Sequence, residues 1–253
     1  MPMNTPDSPA SDDDKLHCAN ELRQHLHAAK LLRRLANDAP DAACKRLLLR
    51  EWQAARLSRS YPDLLSSDRF GKAAHFFLTD LYGPKDFSSR DEEVERIMPL
   101  MLSILPLSAL QTLSLAIEVD ALTEELDAAM VVELEKAGSF DTSKGIDAIS
   151  EKAYADAYRK LGRRSDRERQ IDLIQSTGGA LDRLAKKPLL TTLLKLMRGP
   201  AHLAGLGDLH EFLEGGFDAF RHMGDARDFL ETIETRERRV LENLFSGAAQ
   251  PFA

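Results

Sequence analysis

Residues 107–137 read LSALQTLSLAIEVDALTEELDAAMVVELEKA, a run without glycine or proline and therefore without a helix breaker. At 100° per residue, Leu115, Val119, Leu122, Leu126 and Met130 fall on one face. Leu110, Leu113, Ile117, Ala121, Ala128 and Val131 fall on the opposite one. A helix that is apolar on two opposed faces has to be surrounded by other helices. Two carboxylate strips run between the faces, Glu118 with Glu125 on one side and Asp120 with Asp127 on the other. The segment therefore predicts the central, buried helix of a bundle.

The rest of the 253 residues fit that picture. There are 40 Leu against 5 Val and 8 Ile, too few β-branched aliphatics to build a sheet protein of this size. Helical patterning is nearly continuous, over 12–37, 40–59, 67–82, 89–104, 107–137, 145–161, 166–186, 188–198, 208–223 and 225–246. Ser89 with Glu92, Ser165 with Glu168 and Asp208 with Glu211 have the spacing of capping boxes. Gly83-Pro84, Gly162, Gly199-Pro200 and Gly224 read as stops. No period of 20–50 residues recurs, which argues against a solenoid. The expected architecture is all-α: a single compact bundle of about nine or ten helices at 12–247, a disordered tail at 1–11 and a C-terminal tail at 248–253.

Charge is distributed unevenly about a net of −7. Residues 23–59 carry nine Lys/Arg and three acids, whereas 86–135 carry twelve acids and two arginines. Either this basic hairpin lies against the acidic middle, or it forms a weak patch for an anion or nucleic acid. The first reading is preferred, because only Trp52 and Tyr61 supply aromatics in or beside the hairpin for stacking bases. Cys18 and Cys44 make no disulfide framework or CxxC pair, and the acidic, polar N-terminus is unlike a leader. These features point to a reducing, cytoplasmic setting. Ile97–Ile117 carries no formal charge over a membrane-spanning length. Pro99, Pro106 and several polar residues instead make it a buried helix pair.

Chemistry-bearing residues are sparse. A metal site in a bundle needs acids and histidines projecting inward from different helices. Glu118, Glu125, His202 and His210 are the candidate ligands, although the Glu-x-x-His spacing usual in di-metal bundles does not occur. His210 and Glu214 stand at i, i+4, a spacing able to chelate. Otherwise Glu118 and Glu125 pair with cations of the hairpin. The aromatics of 70–87 and 212–229 either pack as core or line a pocket for a flat apolar ligand such as haem. No nucleophile elbow, phosphate loop or zinc-protease pattern is present.

Residues 76–91, Phe-Phe-Leu-Thr-Asp-Leu-Tyr-Gly-Pro-Lys-Asp-Phe-Ser-Ser-Arg-Asp, form a distinctive element: a helix face with Phe77 and Leu81, a Gly83-Pro84 stop, then Phe87 returning to the core. With the segment Met197–Gly224, it resembles an uncharacterised bacterial all-helical family carrying an FFLxDLYGPxDF element, a likeness that would span most of 65–246. The resemblance implies a helical fold and brings no activity, cofactor or catalytic residue. Tyr82, Asp86 and Arg90 are the polar groups around this turn, there to lock it or to meet a ligand. The function expected is a non-catalytic domain binding a protein partner or a small ligand, without membrane or nucleic acid. Its alternative is a metal- or haem-dependent oxidase or oxygenase using the four candidate ligands.

Overall fold

The computed structural model describes residues 12–81, 83, 87–140 and 142–252. They form eleven α-helices: α1 (Asp12–Asn37), α2 (Pro40–Ser60), α3 (Pro62–Leu65), α4 (Gly71–Phe76), α5 (Ser88–Ile104), α6 (Leu107–Lys136), α7 (Glu151–Leu161), α8 (Arg164–Ala185), α9 (Pro188–Leu203), α10 (Gly207–Met223) and α11 (Arg227–Ser246). A π-helical turn, Phe77–Leu81, continues α4, and a 3-10 segment, Thr142–Ala148, precedes α7. The all-α bundle expected from the sequence is present. The N-terminal tail expected at 1–11 lies outside the described residues.

Helix α6 is central, packed against α1, α2, α7 and α8. Its N-terminal half contributes Leu110 and Ile117 to an apolar cluster with Leu22 and Leu26 of α1 and Met98 of α5. Its C-terminal half places Met130, Val131 and Leu134 in a second cluster with Trp52, Tyr154 and Val240. A third cluster, built by α4, α10 and α11 around Phe76, Phe220 and Phe229, contains no residue of α6. The C-terminal tail carries Phe252, whose ring lies 5.8 Å from that of Trp52. The core is thus divided, and the buried polar groups sit between its parts.

Several boundaries differ from the expected ones for local reasons. The helix expected at 67–82 begins later, as α4, and continues as the π-helical turn, while the single turn α3 precedes it where no helix was expected. The stop expected at Gly199-Pro200 is overridden, and α9 runs on to Leu203. Proline removes one backbone donor and its clash falls on the preceding turn, which here lies on the solvent side with Leu196 and Met197 exposed. None of the three expected capping boxes caps its own helix. Instead Ser89 Oγ donates to Asp208 Oδ2 at 2.5 Å, and Glu93 accepts the Leu209 N–H at 2.8 Å. The N-terminal ends of α5 and α10 therefore share two carboxylates, where the helix dipoles favour negative charge.

Two glycines matter to the packing. Gly162, at φ +64°, closes α7 in the left-handed region and turns the chain directly into α8. At Gly178 a Cβ would lie 2.5 Å from Leu230 Cδ2, so its absence lets α8 and α11 approach closely. The uncharged stretch 97–117 becomes the end of α5 and the start of α6, with Pro106 between them. Among the described residues no helix is long and apolar enough to cross a membrane.

Candidate functional site

Two groups of buried charge flank α6, one on each side. Where α1, α2, α5 and α6 meet, Arg33, Arg46, Arg50 and Arg90 face Asp91, Asp120, Glu124 and Asp127. Glu124 is fully buried; it pairs with Arg46 and Arg50, and with Arg33 Nη2 at 3.0 Å. Arg33 also holds Asp91, and both oxygens of Asp120 at 2.6 Å. The Phe87 ring lies beneath the guanidiniums of Arg90 (4.1 Å), Arg33 and Arg50 (5.9 Å each). Burial and the neighbouring Arg50 bring the Arg46 guanidinium down to about 10, still charged at neutral pH. Four cations meet four anions, and the cluster joins the basic hairpin to the acidic middle of the chain.

The residues singled out from sequence are separated. Glu118 pairs with Arg169, and Glu125 pairs with Arg163 at 2.7 Å, both arginines lying at or in α8 and not in the basic hairpin. His202 and His210 do come together, with ring centroids 6.3 Å apart. Their acidic neighbours are Glu211, 3.8 Å from His202, and Glu214, 3.6 Å from His210. Glu118 and Glu125 take no part there. Among the described residues no group of three or more His, Cys, Asp or Glu side chains is arranged to hold a metal ion. Arg90 lies between the Phe87 and Phe212 rings, whereas Tyr82 and Asp86 are outside the described residues. Cys18 is buried and Cys44 is exposed.

On the other side of α6 lies a cavity of about 140 Å³, bounded by α2, the π-helical turn, α6, α7, α8 and α11. That is close to the ~150 Å³ of an apolar cavity able to hold benzene. Phe77, Tyr154, Tyr158 and Phe229 supply aromatic walls, and Ile171 and Ile174 aliphatic ones. Phe77 reaches it from the π-helical turn, an irregularity that recurs at functional sites. At one end Arg56 grips Glu237 with two bonds of 2.7 and 3.1 Å, and Tyr61 Oη donates to the same carboxylate at 2.7 Å. Gln53 donates to Asp127 Oδ1 at 3.0 Å, so Asp127 belongs to the cavity wall and to the ion cluster at once.

Arg167 is the anomaly. It is buried, stacks 4.8 Å over the Tyr158 ring, and donates through Nη1 to the neutral Gln170 Oε1 at 3.1 Å. Gln170 is in turn held by its amide donating to Thr123 Oγ1 at 2.8 Å. Nη2 of Arg167 is buried without a hydrogen-bond partner, and among the described residues no carboxylate forms an ion pair with this guanidinium. The charge of Glu237 acts on Arg167 through space but without direct contact, so the desolvated Nη2 is left without an acceptor.

The cavity's titrating groups are held in fixed states. Burial works to raise the Glu237 carboxyl, yet the Arg56 guanidinium, the bonds from Arg56 and Tyr61 and, least, the charge of Arg167 outweigh it and keep it below its usual range. Burial pushes the Tyr61 and Tyr158 hydroxyls up, Glu237 adding to the effect on Tyr61 while Arg167 opposes it on Tyr158. Both tyrosines therefore keep their protons at neutral pH and remain hydrogen-bond donors. The arrangement offers an aromatic slot with a cation in its wall that no carboxylate contacts among the described residues.

Sequence reasoning reaches Phe77 and Phe229, as aromatics that pack as core or line a pocket, but not the polar groups beside them. Arg167 sat inside a presumed capping box, and Arg56, Tyr61 and Glu237 are far apart in the chain with no motif linking them. Glu124 had a signal: Asp120, Glu124 and Asp127 stand at i, i+4, i+7, one continuous acidic stripe. No curated protein and no solved structure matches the chain. One family model does, over residues 32–251, which takes in the ion cluster and the cavity lining apart from Phe252. The chain belongs to the family described as Domain of unknown function (DUF8198).

Proposed function

We propose that this is a cytoplasmic, non-catalytic binding domain whose cavity takes a small organic acid, its apolar ring between Phe77, Tyr158 and Phe229 and its carboxylate on Arg167. The observation that carries the reading is the buried Arg167 guanidinium at the cavity, its Nη2 without a hydrogen-bond partner and with no carboxylate in contact among the described residues. A carboxylate is the ligand group that supplies both the missing charge and an acceptor for Nη2. The cavity's size supports a single ring and excludes haem or a nucleotide without a large opening. The apolar walls with a few convergent polar groups are those of a ligand pocket. An exposed free Cys44 and a buried free Cys18 support a reducing compartment.

Calorimetric titration with benzoate and with its uncharged isostere benzamide tests the proposal. Benzoate should bind and benzamide should bind at least tenfold more weakly, with Arg167→Met removing the difference. Equal affinity for the two, or benzoate binding unchanged in Arg167→Met, overturns it. A native mass spectrum of freshly purified protein adds an independent reading, since a retained small acid would appear as a mass above that of the chain.

A further inference from the structure

Helix α9 is the least covered of the long helices: of its sixteen residues only Ala201 is buried, and its neighbours are α8 and α10. Its outward face is aliphatic. Leu189 is 78% exposed, Leu196 71% and Leu203 92%, and Leu193 and Met197 are exposed beside them. Leu189, Leu193, Leu196, Pro200 and Leu203 follow one another at spacings of four, three, four and three residues. That alternation keeps side chains on one stripe of a helix and is the seam of a two-helix coil. The positions bordering the seam are Leu190, Thr192, Met197 and Gly199. None is charged, so a second copy of the same stripe meets no like charge along its edges.

We propose that two copies of the chain pair through α9, antiparallel, about a two-fold axis at Leu196. In that register Leu196 meets Leu196 of the second copy, and Leu189 meets Leu203. Direction follows from charge. Residues 183–207 contain Arg183, Lys186, Lys187, Lys195 and Arg198 and no acid. A parallel pair would set Lys186 and Lys187 against their own copies. An antiparallel pair carries them to the C-terminal end of the other α9, where exposed carbonyls favour cations. The area bounds the strength: Leu189, Leu193, Leu196, Met197 and Leu203 expose roughly 600 Å² per copy, so pairing removes at most about 1,200 Å² from water, the lower end of the range for specific interfaces, as befits a reversible dimer. A self-complementary patch of this kind closes into a dimer without leaving a face open for further growth.

Sedimentation velocity over a wide concentration range tests the pairing in the full chain. A reversible species of twice 28.2 kDa is expected, and L196E should reduce it to the monomer while its melting temperature at low concentration stays that of the wild type. Cross-linking keeps the proposal testable should L196E misfold. In a Cys44→Ser background, an equimolar mixture of L189C and L203C chains should form a disulfide-linked dimer on mild oxidation, far more than either variant alone. A monomer at every concentration overturns the proposal, as does a dimer that survives L196E. Cross-linking of L189C to itself overturns the antiparallel arrangement. Loss of the monomer onto anionic vesicles, with no dimer in their absence, would assign the stripe to a lipid surface instead.

Discussion

Arg50 and Arg167 are both buried arginines close to α6, and they differ in what faces them. Arg50 belongs to a set of four guanidiniums matched by four carboxylates across α1, α2, α5 and α6. Arg167 faces a cavity, a tyrosine ring and a neutral amide, and it feels the charge of Glu237 only at a distance. Removing a charge from water costs several kcal/mol, and only a well-placed counter-charge offsets it. The matched cluster is therefore architecture: it fixes how the basic hairpin sits on α6. The unmatched arginine has no such explanation within the described residues, which is why the cavity, and not the more conspicuous ion cluster, is read as the site.

The comparison breaks most visibly at Glu124. Glu124→Ala strips the counter-charge shared by Arg33, Arg46 and Arg50 and leaves them crowded and under-neutralised. A loss of about 3–5 kcal/mol in urea unfolding is expected, with a fall of roughly 10 °C in melting temperature. A loss under about 1 kcal/mol would mean that the cluster is hydrated and structurally dispensable.

Acid separates the two regions next. Glu237 titrates below its usual value because Arg56 and Tyr61 hold its charged form. The unfolded chain then takes up the proton first, so the stability Glu237 contributes is complete above pH ~4.3 and is lost as the pH falls below it. Glu237→Gln should cost about 2 kcal/mol at pH 7, the price of a hydrogen-bonded charge, and show a flatter acid limb than the wild type. Parallel acid limbs in a melting series from neutral to acidic pH would place the acid sensitivity elsewhere.

Arg167→Met carries the opposite expectation to Glu124→Ala. It removes an unmatched buried charge and puts an apolar side chain of similar length into the wall, so stability should change by less than about 1 kcal/mol, in either direction. Carboxylate binding should vanish all the same. A loss of stability as large as that of Glu124→Ala would show that Arg167 is structural, and the cavity would lose its claim.

How much of this was legible depends on how local the signal is. The 107–137 helix was readable because its two apolar faces recur every turn, and that periodicity is a property of the chain itself. The matching of the basic hairpin to the acidic middle was readable as a charge balance, though which acid faces which arginine was not. The helix caps misled: Ser89 and Asp208 have cap chemistry, but each finds the other across the α5–α10 contact before it finds its own backbone. The cavity was invisible, since Arg56, Tyr61, Arg167 and Glu237 come from α2, the α2–α3 junction, α8 and α11, and nothing in their spacing says that the helices leave a gap between them.

The smallest effect belongs to the residues the sequence favoured. Glu118, Glu124 and Glu125 lie within eight residues on one helix, and 100° steps send them to different surroundings. Glu124 turns inward to the hairpin; the side chain of Glu118 is 16% exposed beside Arg169, and that of Glu125 is 54% exposed beside Arg163. Each pair has one well-exposed partner, Arg169 for Glu118 and Glu125 itself beside Arg163, so water reaches both pairs and screens their attraction. Glu118→Gln and Glu125→Gln should each cost less than about 1 kcal/mol, Glu125 the less of the two, and the difference from wild type should shrink further in high salt. A cost at Glu125 approaching that of Glu124 would mean that α8 covers α6 more tightly than these exposures indicate. Within one helix, then, burial of the counter-ion decides which carboxylate the fold depends on, and a carboxylate strip read from sequence shows only where to look.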